Sequence, residues 1–325
     1  MLYFLIGAGL VFDFLNGFHD ASNIVATVIS SRALRPRTAL YMTAIAEFSA
    51  PFLFGVAVAN TLGKDLITPE AISLPVIITA VLVAIGWNLF TWFLALPSSS
   101  SHALIGGLLG ASILANGIQV IHVGGLEKIL LALFISPPLG LLVGFLIMHL
   151  IMAVFKNASP RINSIFKRTQ ILTSLSLALS HGTNDSQKTM GVITMGLVTS
   201  GYQQTFHVPL WVIALSAGAI GLGTAFGGWR LIRTLGGRIY KIRPVHAFTS
   251  QAASASVILG AALLGGPVST SQVVSSAIMG VGAAERVTKV RWQVAQEMLV
   301  AWLLTIPMTG IVSALLFLLV NNLVS

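Results

Sequence analysis

The sequence contains no cysteine, which excludes disulfide bonds, thiolate nucleophiles and cysteine-based metal sites. Charged residues are also scarce, at 8% of the chain, whereas soluble domains carry about 25%. The composition is 55% hydrophobic with a mean hydropathy of +0.90, which indicates an integral membrane protein. A small-residue cleavage site after the first apolar run is missing as well, so we expect residues 1–15 to be a membrane segment rather than a signal peptide.

Ten apolar stretches are candidates for crossing a membrane, which takes about 20 residues of helix. They lie at 2–31, 38–60, 72–95, 102–118, 128–155, 169–200, 209–229, 245–265, 272–285 and 292–321. Several are too long or too short for one simple helix, so we expect some to be broken or re-entrant. The sequence therefore predicts an all-α polytopic membrane protein with about ten transmembrane spans.

The basic residues are distributed unevenly between the loops of this arrangement. Fifteen of the 18 lysines and arginines fall in alternate loops. They are Arg32, Arg35, Arg37, Lys156, Arg161, Lys167, Arg168, Arg230, Arg233, Arg238, Lys241, Arg243, Arg286, Lys289 and Arg291. Because cytoplasmic loops carry an excess of lysine and arginine, these loops are predicted to be cytoplasmic and both termini to face outside. The net charge of +9 then reflects membrane topology, and no nucleic-acid partner is expected.

The two halves of the chain share two motifs in the same order. Residues 97–111 and 267–281 read PSSSSHALIGGLLGA and PVSTSQVVSSAIMGV, and each places a proline shortly before three consecutive hydroxyl side chains. Residues 16–23 and 181–188 read NGFHDASN and HGTNDSQK, which matches Asp20 with Asp185 at an offset of 165. The shared order indicates an internal duplication.

The duplication predicts three parts: a first repeat at 1–155, a cytoplasmic linker at 156–168 and a second repeat at 169–325. Each repeat holds five predicted spans, and five is odd, so the second repeat enters the membrane from the opposite side. Inverted-topology repeats are typical of secondary transporters, whose site lies near the bilayer midplane between the repeats. We expect the two halves to open one site alternately to either side.

Two carboxylates are predicted to lie at mid-membrane depth, Asp20 in the first span and Asp185 in the sixth. A charged side chain at that depth costs about 2.5–3.5 kcal/mol on insertion scales, which favours a functional role. The glycine and polar residues around each predict a broken helix. Oxygen ligands suit Na⁺ or protons. Glu47, in the middle of the second span, is a further candidate for cation coupling, and Lys188 is expected either to pair with Asp185 or to contact an anion.

The hydroxyl clusters precede two short apolar runs and predict an anion site. Backbone N–H groups and hydroxyls at a helix start bind anions with help from the helix dipole. The residues concerned are Ser99, Ser100, Ser101, Ser269, Thr270 and Ser271, before runs that start at His102 and Gln272. Pro97 and Pro267 are expected to mark the break before each helix. One helix cap needs one hydroxyl, so three in succession, twice, exceed what capping requires.

The predicted anion is phosphate rather than sulfate. No arginine lies within a predicted span, although arginine usually dominates tight phosphate binding. Neutral donors with a co-bound cation suit a transporter that must release its cargo. Asp20 or Asp185 could accept a hydrogen bond from a protonated phosphate, whereas sulfate has no proton to donate at neutral pH.

The motifs GFHDASNIVATVISSRAL, PSSSSHALIGG, SHGTNDSQKTMGVI and GGPVSTSQ resemble the duplicated signatures of the inorganic phosphate transporter (PiT) family, and of its bacterial low-affinity branch in particular. The resemblance implies symport of phosphate with Na⁺ or H⁺ and, in some bacterial members, transport of a neutral metal–phosphate complex. It implies that Asp20, Asn23, Asn184 and Asp185 bind the cation, as Na⁺ ligands if Na⁺ is coupled, and also phosphate. The anion site would be lined by the two hydroxyl clusters and Gln272.

The sequence departs from the family pattern at two positions. Lys188 replaces an asparagine that would match Asn23 in the first half, which puts a second cation site in doubt. Gln251 replaces a glutamate.

Three alternatives remain at this stage: an intramembrane hydrolase, a channel, and a transporter of sulfate or of a metal–phosphate complex. For a symporter we expect no resident cofactor. We expect a multi-pass location in the plasma (inner) membrane. Its partners would be inorganic phosphate, the coupling cation and the lipid bilayer. A homodimer is an expectation from base rates alone.

Overall fold

The computed structural model describes residues 1–68, 71–94, 98–159, 161–227 and 242–324. These residues form eleven α-helices and no β-strand, apart from one isolated β-bridge between Ile67 and Ile121. The helices are α1 (Leu2–Ser30), α2 (Pro36–Phe54), α3 (Ala57–Asn60), α4 (Leu74–Phe93), α5 (Ser100–Asn116), α6 (Val123–Val154), α7 (Ile162–Thr199), α8 (Leu210–Phe226), α9 (Pro244–Leu263), α10 (Thr270–Glu285) and α11 (Trp292–Val324). The all-helical prediction is confirmed.

Among these residues, four helices are long and apolar enough to cross a membrane: α1, α4, α6 and most of α11. The bent pair formed by α2 and the segment Ala57–Asp65 makes a fifth candidate. Outward-facing side chains of α6 and α11, such as Leu150, Leu315 and Leu319, are more than half exposed, as expected for contact with lipid. Each predicted apolar stretch coincides with a helix or with the bent pair, while ten crossings and outside termini stay predictions.

The predicted breaks at Asp20 and Asp185 are wrong, because α1 and α7 run through both positions without interruption. The hydroxyl side chains beside these positions bond to their own helix. Ser22, Thr183 and Ser186 donate to backbone carbonyls three or four residues earlier, at 2.7–3.0 Å. Gly182 serves close packing rather than a break, since a Cβ there would overlap the backbone of Glu47 in α2.

The helix that does break is the second predicted span. Helix α2 ends at Phe54, and α3 starts at Ala57 after a bend of 69°. Gly55 has a φ of +80°, a conformation that glycine adopts readily and other residues rarely do. Pro51 lies one turn before the bend, and its carbonyl accepts the N–H of Gly55. The bend therefore follows from local sequence, at a position that the polar motifs did not mark.

Helices of the first half pack on helices of the second half in matched pairs. Helix α5 packs on α11 while α10 packs on α6, and α1 packs on α8 while α2 packs on α7. Within the halves, α4 packs on α1 and α9 packs on α7. Each contact thus has a counterpart in which the two halves trade places.

The short helices that follow the hydroxyl clusters begin two residues earlier than predicted. Helix α5 starts at Ser100 and α10 at Thr270, so most of each cluster lies in the first helical turn rather than before it. Ser99 caps α5 by accepting the N–H of His102 at 3.2 Å. Pro97, the end of the seventh span with Trp229, and four basic residues (Arg230, Arg233, Arg238 and Lys241) lie outside the described residues.

Candidate functional site

Helices α1 and α7 bring the two predicted carboxylates to the same nitrogen of one imidazole. The Nε2 atom of His181 lies 2.7 Å from Oδ2 of Asp185 and 3.7 Å from Oδ2 of Asp20. His181 and Asp185 are one turn apart on α7, so they share a helix face. All three side chains are at most 3% exposed, which makes this a buried cluster formed by both halves.

A third carboxylate joins the cluster from α2. Oε1 of Glu47 lies 2.8 Å from Nδ1 of His181, and Oε2 accepts a hydrogen bond from Thr224 of α8 at 2.5 Å. The Thr224 hydroxyl also lies 3.2 Å from the carbonyl of Gly17. Both imidazole nitrogens of His181 therefore face carboxylates, and the side chain connects three helices.

The first turn of α10 contacts both aspartates. Ser271 donates to Oδ1 of Asp20 at 2.7 Å, and Thr270 donates to Oδ2 of Asp185 at 2.8 Å. Adjacent hydroxyls of one helix start therefore hold carboxylates that are 165 positions apart in the chain. This hydroxyl cluster and both aspartates therefore lie together, while their role in binding stays a prediction.

The start of α5 meets the start of α10. Nε2 of Gln272 lies 3.4 Å from Nδ1 of His102, which also lies 2.7 Å from the hydroxyl of Ser99. Ser101 donates to the carbonyl of Val268 at 2.8 Å. Ser100 is half-buried and Ser269 is buried at the same place. The structure thus brings both hydroxyl clusters together.

Lys188 lies inside this cluster. Its ammonium donates to Oδ1 of Asp185, to the hydroxyl of Ser101 at 2.5 Å and to the carbonyl of Val268 at 3.1 Å. The side chain is 1% exposed. Of the two roles considered for Lys188, the structure shows pairing with Asp185.

The two asparagines assigned to cation binding have different surroundings. Asn23 is half-buried and donates to Oδ1 of Asp20 at 2.8 Å. Asn184 braces the loop before α10, where its nitrogen donates to the carbonyl of Gly266 at 3.1 Å and its oxygen accepts the N–H of Val268 at 3.2 Å. Asn23 lies beside its carboxylate, whereas the side chain of Asn184 is engaged by backbone.

The second departure from the family pattern, Gln251, lies on α9 outside this cluster. Its amide nitrogen donates to Thr27 at 2.8 Å, and its oxygen accepts from Thr173 at 2.7 Å. The buried amide therefore ties α1, α7 and α9 together. Asp13 is also buried on α1 and accepts a hydrogen bond from Thr189 at 2.6 Å.

Sequence reasoning missed His181, Thr224 and Gln187. The spacing of His181 and Asp185 at i and i+4 was a usable signal, since it places both on one helix face. Gln187 bonds to the bend between α2 and α3: its oxygen accepts the N–H groups of Val58 at 2.7 Å and Ala59 at 3.2 Å, and its nitrogen donates to the carbonyl of Gly55 at 2.7 Å. No local signal connects Gln187 to a bend about 130 residues earlier.

The site combines ligand atoms for a cation with hydrogen-bond donors for an anion. One ligand atom from each of Asp20, His181 and Asp185 lies within 4.8 Å of the others, which is close enough for shared coordination. Carboxylate oxygens are hard ligands for hard cations. The hydroxyls and the first-turn N–H groups of α5 and α10 are donors of the kind that bind anions.

Comparison with known proteins adds independent information. The phosphate transporter family matches residues 16–313. A protein of Bacillus subtilis named "Probable low-affinity inorganic phosphate transporter" is 41% identical over 321 residues, which cover 98% of this chain and 96% of that protein. A protein of Rhizobium meliloti with the same name is 43% identical over 319 residues, with the same coverage.

A solved structure described as "The sodium-dependent phosphate transporter" superimposes with a TM-score of 0.90 and covers 99% of both chains. It is 24% identical in sequence, so the similarity is one of fold. The family and its curated members are transporters, which excludes the alternative of an intramembrane hydrolase. With a family match across most of its length and relatives above 40% identity, the chain belongs to the phosphate transporter family.

Proposed function

We propose that this protein imports inorganic phosphate across the plasma (inner) membrane by symport with Na⁺ or H⁺. The observation that carries the proposal is the start of α10, where adjacent hydroxyls contact Asp20 of the first half and Asp185 of the second. The names of the curated relatives support phosphate as the substrate. In this proposal phosphate binds at the paired helix starts, and the cation binds at the carboxylates.

The charge of the buried cluster supports coupling between the two ions. Three carboxylates, from Asp20, Glu47 and Asp185, surround His181, while Lys188 is the one lysine buried among the described residues. Phosphate would meet this negative charge if it entered alone. A cation that binds first offsets the repulsion, so each ion favours the entry of the other.

The proposed phosphate ligands are Ser99, Ser100, Ser101, Ser269, Thr270, Ser271 and Gln272, with Asp20 and Asp185 as acceptors for a protonated phosphate. The proposed cation ligands are Asp20, Asn23 and Asp185, and Glu47 acts through His181. Asn184 contributes by holding the loop before α10 in place.

The mechanism we propose is alternating access between inverted repeats, 1–155 and 169–325, joined by 156–168. The exchanged packing of α5 on α11 and α10 on α6 supports this arrangement. The topology is testable because the chain has no cysteine of its own. Single cysteines at Asn157 and Gln203 should be labelled by an impermeant thiol reagent from the cytoplasmic and the external face, respectively. Labelling of both from the same face would contradict the inverted arrangement.

The function is tested by uptake of radiolabelled phosphate into proteoliposomes, with a Na⁺ gradient and a pH gradient imposed separately. We expect concentrative uptake under one gradient and its loss in Asp20→Asn. Asp65→Asn is the matched control, because Asp65 is an exposed carboxylate with a side chain 47% accessible. Uptake that never exceeds equilibration would identify a channel. Equal uptake of sulfate would identify a transporter of oxyanions in general. A strict need for a divalent metal would identify a metal–phosphate complex as the substrate.

A further inference from the structure

Lys188 is a buried lysine with each of its donors satisfied by an oxygen atom. An ammonium group has three N–H donors and no acceptor. Here the three partners are Oδ1 of Asp185, the hydroxyl of Ser101 and the carbonyl of Val268. A carboxylate, a hydroxyl and a carbonyl are also the oxygen types that ligate hard metal cations. The ammonium therefore occupies an oxygen cage of the kind that holds a cation.

The matching place in the first half is built differently. The offset that matches Asp20 with Asp185 also matches Asn23 with Lys188, and the offset of the hydroxyl clusters matches Ser271 with Ser101. In the first half, Ser271 donates directly to Asp20 at 2.7 Å. In the second half, the Lys188 ammonium lies between Ser101 and Asp185 and contacts both. A positive charge is thus inserted where the first half has a direct hydrogen bond.

Lys188 and Asp185 form a buried pair that is costly to separate. Lys188 is 1% exposed, and the carboxylate of Asp185 is fully buried. Separating such a pair leaves an uncompensated charge in a medium of low dielectric constant, which is strongly unfavourable. A dissolved cation could enter this cage only by displacing a group that is covalently attached to α7.

We propose that the Lys188 ammonium is a tethered cation that fills the cation position of the second half, beside Oδ1 of Asp185. A single exchangeable coupling cation then binds on the Asp20 side, where Asp185 can contribute only its Oδ2 atom. This inference rests on the proposed symport and specifies its cation sites. It follows that replacing Lys188 with asparagine, the residue present at the matching position of the first half, creates an additional site for Na⁺.

The first test measures ²²Na⁺ binding to the purified full-length protein at fixed pH. We compare the wild type with Lys188→Asn and Lys188→Met, two variants that remove the same charge. Only asparagine supplies an amide oxygen beside Asp185. We expect Lys188→Asn to bind one more Na⁺ per chain than the wild type, and to bind it about tenfold or more tightly than Lys188→Met, a difference of about 1.4 kcal/mol.

The second test measures phosphate uptake as a function of Na⁺ concentration. Uptake by Lys188→Asn should rise with Na⁺ with a Hill slope about one unit steeper than that of the wild type, since one more Na⁺ then acts with phosphate. Identical Na⁺ responses of Lys188→Asn and Lys188→Met would overturn the proposal. So would an equal loss of phosphate affinity in both variants without rescue by Na⁺, because Lys188 would then contact the anion itself.

Size-exclusion chromatography and thermal melting check that each variant is folded. If Lys188→Asn does not fold, Lys188→Gln supplies the same amide oxygen on a longer side chain and carries the same expectations. The binding assay does not depend on transport. A wild type that takes up no phosphate, combined with extra Na⁺ binding by Lys188→Asn, would reject the proposed function and not the tethered cation. Normal phosphate uptake by the wild type, combined with no extra Na⁺ binding by Lys188→Asn, would reject the tethered cation and not the proposed function.

Discussion

The Asp20 side and the Asp185 side of the site hold equivalent carboxylates in different environments. Asp20 accepts from the half-buried amide of Asn23 and the hydroxyl of Ser271. It also lies 3.4 Å from Nδ1 of His19, whose side chain is 18% exposed. Asp185 is fully buried and pairs with the ammonium of Lys188. The duplicated motif therefore places two carboxylates alike, but only Asp20 has partly exposed neighbours and no lysine partner. Equivalent positions need not have equivalent roles.

The largest expected effect comes from removing the carboxylates one at a time. Asp185→Asn leaves Lys188 as an unpaired buried charge, which should lower the free energy of unfolding by about 3–5 kcal/mol. Asp20→Asn replaces a charged acceptor with a neutral amide oxygen beside neutral donors, so we expect a loss of about 1–3 kcal/mol. Thermal melting in detergent gives the comparison. The double variant Asp185→Asn/Lys188→Asn should recover part of the stability, and equal melting temperatures for the two single variants would refute the difference between the sides.

We expect the substitution of His181 to cost more stability than the same substitution of His102. His181 lies 2.8 Å or less from Glu47 and Asp185, so His181→Gln deprives two buried carboxylates of a close partner. We expect a stability loss of about 2–3 kcal/mol and a loss of phosphate uptake. His102 contacts the hydroxyl of Ser99 and the amide of Gln272, and His102→Gln should cost about 1 kcal/mol.

This comparison is measured by thermal melting together with uptake in proteoliposomes. A larger effect for His102→Gln than for His181→Gln would show that the contact between α5 and α10 dominates the site, rather than the carboxylate cluster.

A smaller contrast is expected at the next matched pair, Gln187 and Ser22, which the offset of 165 relates. Gln187→Leu should cost about 1–3 kcal/mol, because the N–H groups of Val58 and Ala59 at the bend lose their buried acceptor. Ser22→Ala should cost less than about 1 kcal/mol, since Ser22 bonds only to the carbonyl of His19 within its own helix.

Melting temperatures measure this contrast, and hydrogen exchange of the amides of Val58 and Ala59 reports on the bend itself. Faster exchange there in both variants, or in neither, would mean that Gln187 does not hold the bend.

Some of the site could be predicted because its signals are local. An aspartate within an apolar run is expensive, so Asp20 and Asp185 stand out without any structure. The hydroxyl clusters stand out because three exceed the needs of one cap. The location of the break could not be predicted in the same way. Polar runs in α1 and α7 resembled breaks, yet their hydroxyls bond to their own helices, and the bend occurs at Gly55.

His181 shows the limit of this reasoning. Its spacing to Asp185 is visible in the sequence, but Glu47 is 134 positions away and reaches the imidazole only because Gly182 lets α2 approach α7 closely. A histidine within a membrane helix is more often satisfied by one ordinary hydrogen bond. Only the packing of α1, α2 and α7 shows that this one lies among three carboxylates.

The sequence by itself determined the all-helical membrane character, the duplicated motifs and the candidate residues for binding an anion and a cation. These properties depend on residue type and spacing. Hydropathy shows which segments lie in the membrane, and the helical period shows which residues share a helix face. The tertiary structure alone decided which helix bends, that His181 connects the carboxylates, and that Lys188 fills the oxygen cage of the second half. Those facts depend on contacts between helices that are distant in sequence, and such contacts are set by close packing of the whole chain.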